Sequence, residues 1–181
     1  MKNLIKFLAI ALALTNSSCA YISSMSASVS PETLNYQDAL EDAKGGKSDF
    51  GLVKFDNYLK EYPNSPHKQG IKFAIIEYYL QINDYQDAIL NLKQYIEEYP
   101  KDKSTVFAKA LAYKAISEYG LNRELIEPIK EGFFSKSLFL IFSESKTKSY
   151  TSILGNTYKI VAYVDKIQFL KNNELFLDVS T

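Results

Sequence analysis

YLKEYP at residues 58–63 and YIEEYP at residues 95–100 are two copies of one motif, placed 37 residues apart. An internal repeat of this length is typical of helical hairpins that stack and bury their apolar faces against one another. Around the second copy, apolar residues recur at spacings of three and four, which places them on one face of a helix. The repeat therefore predicts a stack of α-helical hairpins.

Helix-breaking residues set the limits of these hairpins. Pro31 fits the first turn of a helix, and Gly45-Gly46 would end that helix. Asn83-Asp84 suits a tight turn and a cap for the next helix, and Pro100 has no amide hydrogen to continue it. The predicted repeat domain spans residues 31–134, with clear hairpins at 31–63 and 66–100 and a degenerate third at 103–134.

The C-terminal segment, residues 135–181, has no equally clear pattern. The apolar residues from Ile160 to Leu170 fit either the spacing of a helix or that of short strands. We predict a helix, because the rest of the chain is helical and Asn172-Asn173 would end it. The predicted fold is thus all-α, with this segment packed on the repeats and a small β-element at the C-terminus as the alternative.

The N-terminus has the pattern of a bacterial export signal. Lys2 precedes the apolar run Phe7–Leu14, which is too short to span a bilayer, and small polar residues follow it. Cleavage before Cys19 would leave an N-terminal cysteine for lipid attachment, as in the bacterial lipoprotein signals that this stretch resembles. Cleavage before Tyr21 would discard the thiol. We favour the first, so residues 1–18 are the predicted signal peptide and residues 19–30 a flexible tether.

The sequence contains few candidate residues for catalysis or for metal binding. The 21 basic and 21 acidic residues balance, so bulk charge does not attract nucleic acid. Cys19 and His67 are the only residues of their types, which leaves no partner for a catalytic dyad or a metal site. We therefore predict a protein that is not an enzyme and has no cofactor and no metal.

The second hairpin resembles the tetratricopeptide repeats. That pattern has a late aromatic in the first helix, a small residue and a large apolar one in the second, and a closing proline, as at Tyr79, Ala88, Leu92 and Pro100. A lipoprotein signal followed by such repeats is similar to the outer-membrane β-barrel assembly lipoproteins of the BamD type. It is also similar to periplasmic repeat proteins of the cell-division and Tol-Pal group.

These resemblances imply a right-handed α-solenoid that binds envelope proteins or extended peptides at the periplasmic face of the outer membrane, most specifically in β-barrel assembly. The alternative is an adaptor for cell-wall or cell-division machinery, soluble in the periplasm if Cys19 is removed. An envelope enzyme or small-ligand binder is less favoured. In such repeats the first helix of each pair lines a concave surface that binds a partner. For each lining residue, the alternative that it packs against a neighbouring helix instead is given equal weight. The residues predicted to line this concave surface are Tyr36, Phe73, Glu77, Gln81, Lys114 and Glu118.

Overall fold

The computed structural model describes residues 29–45, 48–119, 147–163 and 166–180. Within these ranges, five helices are followed by four strands. The helices are α1 (Pro31–Lys44), α2 (Ser48–Glu61), α3 (Lys68–Gln81), α4 (Tyr85–Glu98) and α5 (Thr105–Tyr119). The strands are β1 (Thr147–Thr151), β2 (Thr157–Ala162), β3 (Lys166–Lys171) and β4 (Glu174–Ser180).

The helical prediction is confirmed for residues 31–119. α1 packs against α2, and α4 packs against both α3 and α5. The Asp84 carboxylate caps α4 by accepting a hydrogen bond from the Asp87 amide, and Asn83 has the positive φ of 60° that a tight turn requires. The second half of the predicted third hairpin, which extends to residue 134, lies outside the described residues.

The repeated YP motif makes the same contacts in both copies. The Tyr58 hydroxyl lies 2.6 Å from the Ser65 Oγ, and the Tyr95 hydroxyl lies 2.6 Å from the Ser104 Oγ. The two tyrosine rings within each copy lie 5.0 and 4.9 Å apart. The first tyrosine of each copy therefore anchors the turn that follows its own hairpin, which explains why the sequence repeats it.

Removing the Tyr95 hydroxyl tests this role. The Tyr95→Phe variant lacks the hydroxyl that contacts the buried Ser104 Oγ and that accepts a hydrogen bond from the Gln69 side-chain amide of α3. We expect the free energy of unfolding to fall by about 1–2 kcal/mol in urea denaturation. Tyr62→Phe is the control, because its hydroxyl bonds the exposed Glu61 carboxylate. Equal losses in the two variants would show that the turn does not depend on the buried hydrogen bonds.

The second helix of each hairpin carries a small residue where it meets the first. A Cβ atom on Gly51 of α2 would lie 2.6 Å from the Ala43 Cα of α1, closer than two non-bonded carbons approach. Ala88 holds the corresponding position of α4, 37 residues later, and is fully buried. α1 and α2 therefore lie so close together at Gly51 that a side chain has no room there.

The four strands form an antiparallel sheet in the order β1-β2-β3-β4. Asn172 and Asn173 join β3 to β4 with φ values of 52° and 67°, the two positive values of a type I′ hairpin turn. The helix predicted from Ile160 onwards is therefore wrong. The all-α prediction holds for residues 31–119 only, and the small β-element named as the alternative is confirmed. Alternate side chains of β2 and β3 are buried, namely Tyr158 and Ile160 in β2 and Ile167 and Phe169 in β3. This is the strand spacing that the sequence offered as the alternative to a helix. Residues 135–146 lie outside the described part.

A bulge adapts the last strand to the helices. The register between β3 and β4 shifts at Phe169/Leu170, which adds one residue to β4. Because a bulge breaks the alternation of side chains, Phe176 and Leu177 both pack against the main core, which contains Phe73, Phe107 and Tyr158 among its buried residues. β4 thereby meets α5 with two consecutive apolar residues.

The sheet lies on the helices and completes the main core. The Phe73 ring of α3 lies 5.5, 4.9 and 5.5 Å from the rings of Tyr95, Tyr150 and Tyr158. The turn between β1 and β2 packs on the same helix at Gly70, where a Cβ atom would lie 2.7 Å from the Ile153 Cγ2. α3 is therefore covered by helices on one side and by the sheet on another.

Candidate functional site

The sheet covers two of the six residues predicted to contact a partner. Phe73 is fully buried, and Glu77 is 2% exposed. Neither side chain is available to a partner in this structure. The prediction that Phe73 and Glu77 line a partner surface considered the helices alone. It is corrected because the sheet packs on this face of α3 and covers both side chains.

Glu77 forms the polar centre of this contact. Its Oε1 accepts a hydrogen bond of 2.7 Å from the Tyr158 hydroxyl and one of 2.9 Å from the Asn156 Nδ2. Its Oε2 is buried without a hydrogen-bond partner, and so is the Ser152 Oγ in the turn between β1 and β2. One carboxyl group thus connects α3 to the sheet at residues far away in the chain.

Burial raises the pKa of the Glu77 carboxyl group above its ordinary value of 4.5. The side chains of Tyr158, Ser152 and Asn156 and the positive charge of Lys171 oppose part of that rise. The neutral form of the acid is consequently favoured over a wider pH range than it is for an exposed glutamate. Burial also raises the pKa of the Tyr158 hydroxyl, so that it remains a donor.

Tyr36 and Gln81 keep surface that a partner could reach. The half-buried Tyr36 ring stacks on His67, with centroids 3.9 Å apart and planes 6° from parallel. This packing accounts for the only histidine of the chain. Gln81 is exposed at the end of α3.

Lys114 is half-buried, and its Nζ lies 5.7 Å from the centroid of the Phe176 ring. The sheet therefore also engages α5 at a predicted partner residue. The side chain of Glu118 and the whole of Cys19 lie outside the described residues, so the predictions for them stay as they were made.

A small cavity lies between the first three helices and the turn between β1 and β2. Its volume is about 20 Å³, which is room for a single water molecule rather than for an organic ligand. Apolar side chains dominate the lining, which consists of Ala43, Leu52, Phe55, Ala74, Ile75, Tyr78, Gln81 and Leu154. In the described part of the chain, no three His, Cys, Asp or Glu side chains are grouped to hold a metal ion.

A family model with the description outer membrane lipoprotein, YfiO, matches residues 29–130. The match spans more than half of the 181 residues. The chain belongs to the YfiO family of outer membrane lipoproteins. Its predicted resemblance to the BamD-type lipoproteins is thereby confirmed. The comparison with curated proteins found no match.

Membership of the YfiO family supports an outer-membrane-associated lipoprotein with protein partners in the envelope. The matched residues include all five helices and end before β1, so the sheet lies beyond the part that the YfiO model matches. None of the helices among the described residues is long and apolar enough to cross a membrane.

Sequence reasoning missed the sheet side of the Glu77 site. Ser152, Asn156 and Tyr158 all belong to a segment that was not assigned to any site. The available signal was the alternation of Tyr158 and Ile160, both of which are buried on the face toward the helices. A glutamate within an otherwise apolar helix face was a second signal, because such a residue needs polar partners from another element.

Proposed function

We propose that this protein is a lipid-anchored scaffold at the periplasmic face of the outer membrane and takes part in the assembly of β-barrel proteins. The observation that carries the proposal is the family match, which covers the whole of the described helical region. Stacked helical hairpins expose extended surfaces that suit the binding of other proteins. The paired helices provide such a surface outside the area that the sheet covers.

The anchor in this proposal is Cys19. Val29, where the described residues begin, lies ten positions after Cys19, and a chain of that length reaches at most roughly 35 Å when fully extended. Such a tether would keep the helical region close to the membrane while allowing it to turn toward a partner. Two or more acyl chains hold a protein on a bilayer stably, whereas a single chain binds marginally.

Mass spectrometry of the N-terminal peptide tests the anchor. We expect the mature peptide to begin at Cys19 and to carry the mass of attached acyl chains. A peptide that begins at Tyr21 with a free amino group would contradict lipidation. Conversion of Cys19 to serine provides the control, because it should abolish the acylated peptide.

The partner surface proposed here is what remains accessible of the predicted strip. Tyr36 and Gln81 retain exposed surface, whereas Phe73 and Glu77 are withdrawn beneath the sheet. Because Gln81 lies at the end of α3, a partner could contact it without displacing the sheet. We propose Tyr36 and Gln81 as contact residues on this basis.

Site-specific cross-linking in intact cells tests the proposed function. A photoreactive residue at Gln81 is expected to capture β-barrel precursors or the assembly barrel. The same residue at Gln94, an exposed glutamine of α4, is the matched control and should capture them more weakly. Recovery of cell-wall or cell-division proteins without barrels would favour the adaptor function and overturn the assembly role.

A further inference from the structure

We propose that Glu77 is a pH-sensitive latch that holds the sheet against α3, and that ionisation of its carboxyl group loosens the sheet. This inference goes beyond the proposed function, since it concerns a contact within the chain and requires no partner. The latch joins the helices to a sheet that lies beyond the residues matched by the family model.

The contacts of the carboxyl group come from the sheet side of the interface. Tyr158 and Asn156 donate to one oxygen, and the Ser152 hydroxyl belongs to the turn that packs on α3. None of the ion pairs among the described residues involves Glu77. The ionised group would thus be a buried charge whose hydrogen-bond donors, Tyr158 and Asn156, are neutral. Such an arrangement is costly in a protein interior.

A proton on Glu77 removes that cost and provides one more donor. The protonated Oε2 can donate to the Ser152 Oγ, so that one hydrogen bond would satisfy the two buried oxygens that lack partners. Ser152 can also donate to the ionised form. The two forms therefore differ chiefly in the buried charge, and the neutral form is the better match to this interface.

The other titratable groups near the latch do not provide an alternative switch. Tyr150 and Tyr158 face it from the sheet, and Tyr95 packs on the same helix from α4. Burial raises the pKa of all three hydroxyl groups, so they stay neutral between pH 5 and pH 8. Lys171 is a cation whose positive charge acts on Glu77. Its Nζ lies 5.9 Å from the Tyr158 ring centroid.

The direction of the effect follows from proton linkage. Since folding raises the pKa of Glu77 above 4.5, the docked sheet binds a proton more tightly than the released segment. Docking is therefore strongest at or below pH 4.5 and weakens as pH rises through the pKa of the folded state. Each unit by which folding raises that pKa changes the docking equilibrium by about tenfold.

Hydrogen exchange on the full mature protein at pH 5 and pH 8 tests the latch. After correction for intrinsic exchange rates, we expect the amides of residues 147–158 to lose protection at pH 8, by about tenfold for each unit by which folding raises the pKa of Glu77. Glu77→Gln keeps the acceptor oxygen and adds a neutral donor toward Ser152, so its protection should not depend on pH. Glu97→Gln removes an exposed acid of α4 and should behave like the wild type.

Equal protection at the two pH values in the wild type would overturn the proposal, and so would a loss in Glu77→Gln as large as that of the wild type. If Glu77→Gln does not fold, carbon-detected NMR of the wild-type carboxyl group decides the question. A titration midpoint above 4.5, with matching changes in the amides of β1 and β2, supports the latch. A midpoint at or below 4.5, or one without those changes, refutes it.

Discussion

Phe73→Ala is expected to lower the free energy of unfolding by about 3–5 kcal/mol, because it removes a large side chain from the core that the helices and the sheet share. The ring is fully buried and makes edge contacts with Tyr95, Tyr150 and Tyr158. Alanine would remove these contacts and leave a cavity between elements that cannot collapse onto each other without moving the sheet. A loss of this size is a large share of the 5–15 kcal/mol that stabilise a typical domain.

Urea denaturation measures this loss, and near-ultraviolet circular dichroism of the tyrosines reports on the packing of the sheet. Phe50→Ala is the matched control, because Phe50 is 67% exposed on α2 and its removal should change stability by less than about 0.5 kcal/mol. A small effect of Phe73→Ala with unchanged tyrosine signals would contradict the shared core. It would mean that the sheet holds its position by other contacts.

Gly51→Val is expected to separate α1 from α2 and to lower the free energy of unfolding by about 3 kcal/mol, the upper part of the range for overpacked cores. Even a Cβ atom at this position would lie 2.6 Å from the Ala43 Cα, and backbone cannot rotate away as a side-chain tip can. The two branches of valine would add to that conflict.

The control for this prediction places valine elsewhere on the same helix. Asn57 is exposed on α2, and asparagine and valine have similar helix propensities, so Asn57→Val should change stability by less than about 0.5 kcal/mol. Thermal and urea unfolding of the two variants give the comparison. Equal stabilities would show that the hairpin relaxes to accept the side chain, and the close approach would then not be a requirement of the fold.

The sequence predicted the helices well because each signal there was local. The repeated Tyr-Pro motif, the helical spacing of apolar residues and the Asn83-Asp84 turn all lead to the same hairpins. The C-terminal segment lacked such agreement, since its apolar residues fit both periods over a short stretch. Asn172-Asn173 is equally able to end a helix or to form a hairpin turn, and only the pairing of β3 with β4 decided between them.

The candidate site was harder to predict for a related reason. Tyr36, Phe73 and Gln81 were chosen because they lie on first helices of the repeats, and a helix pattern reveals which residues share a face. It does not reveal what covers that face. Phe73 became core because a sheet built from residues 147–180 packs on it, and no local feature of α3 indicates that contact.

The connection between Glu77 and Tyr158 joins residues 81 positions apart. Helical hairpins make contacts between neighbours in the chain and can form early, whereas contacts of such long range form slowly. A chain that is synthesised from its N-terminus would present the apolar face of α3 before the strands that cover it have been made. Exposed apolar surface of this kind favours aggregation. The delay between the synthesis of α3 and that of residues 147–180 therefore sets how long this face stays open to contacts with other unfolded chains.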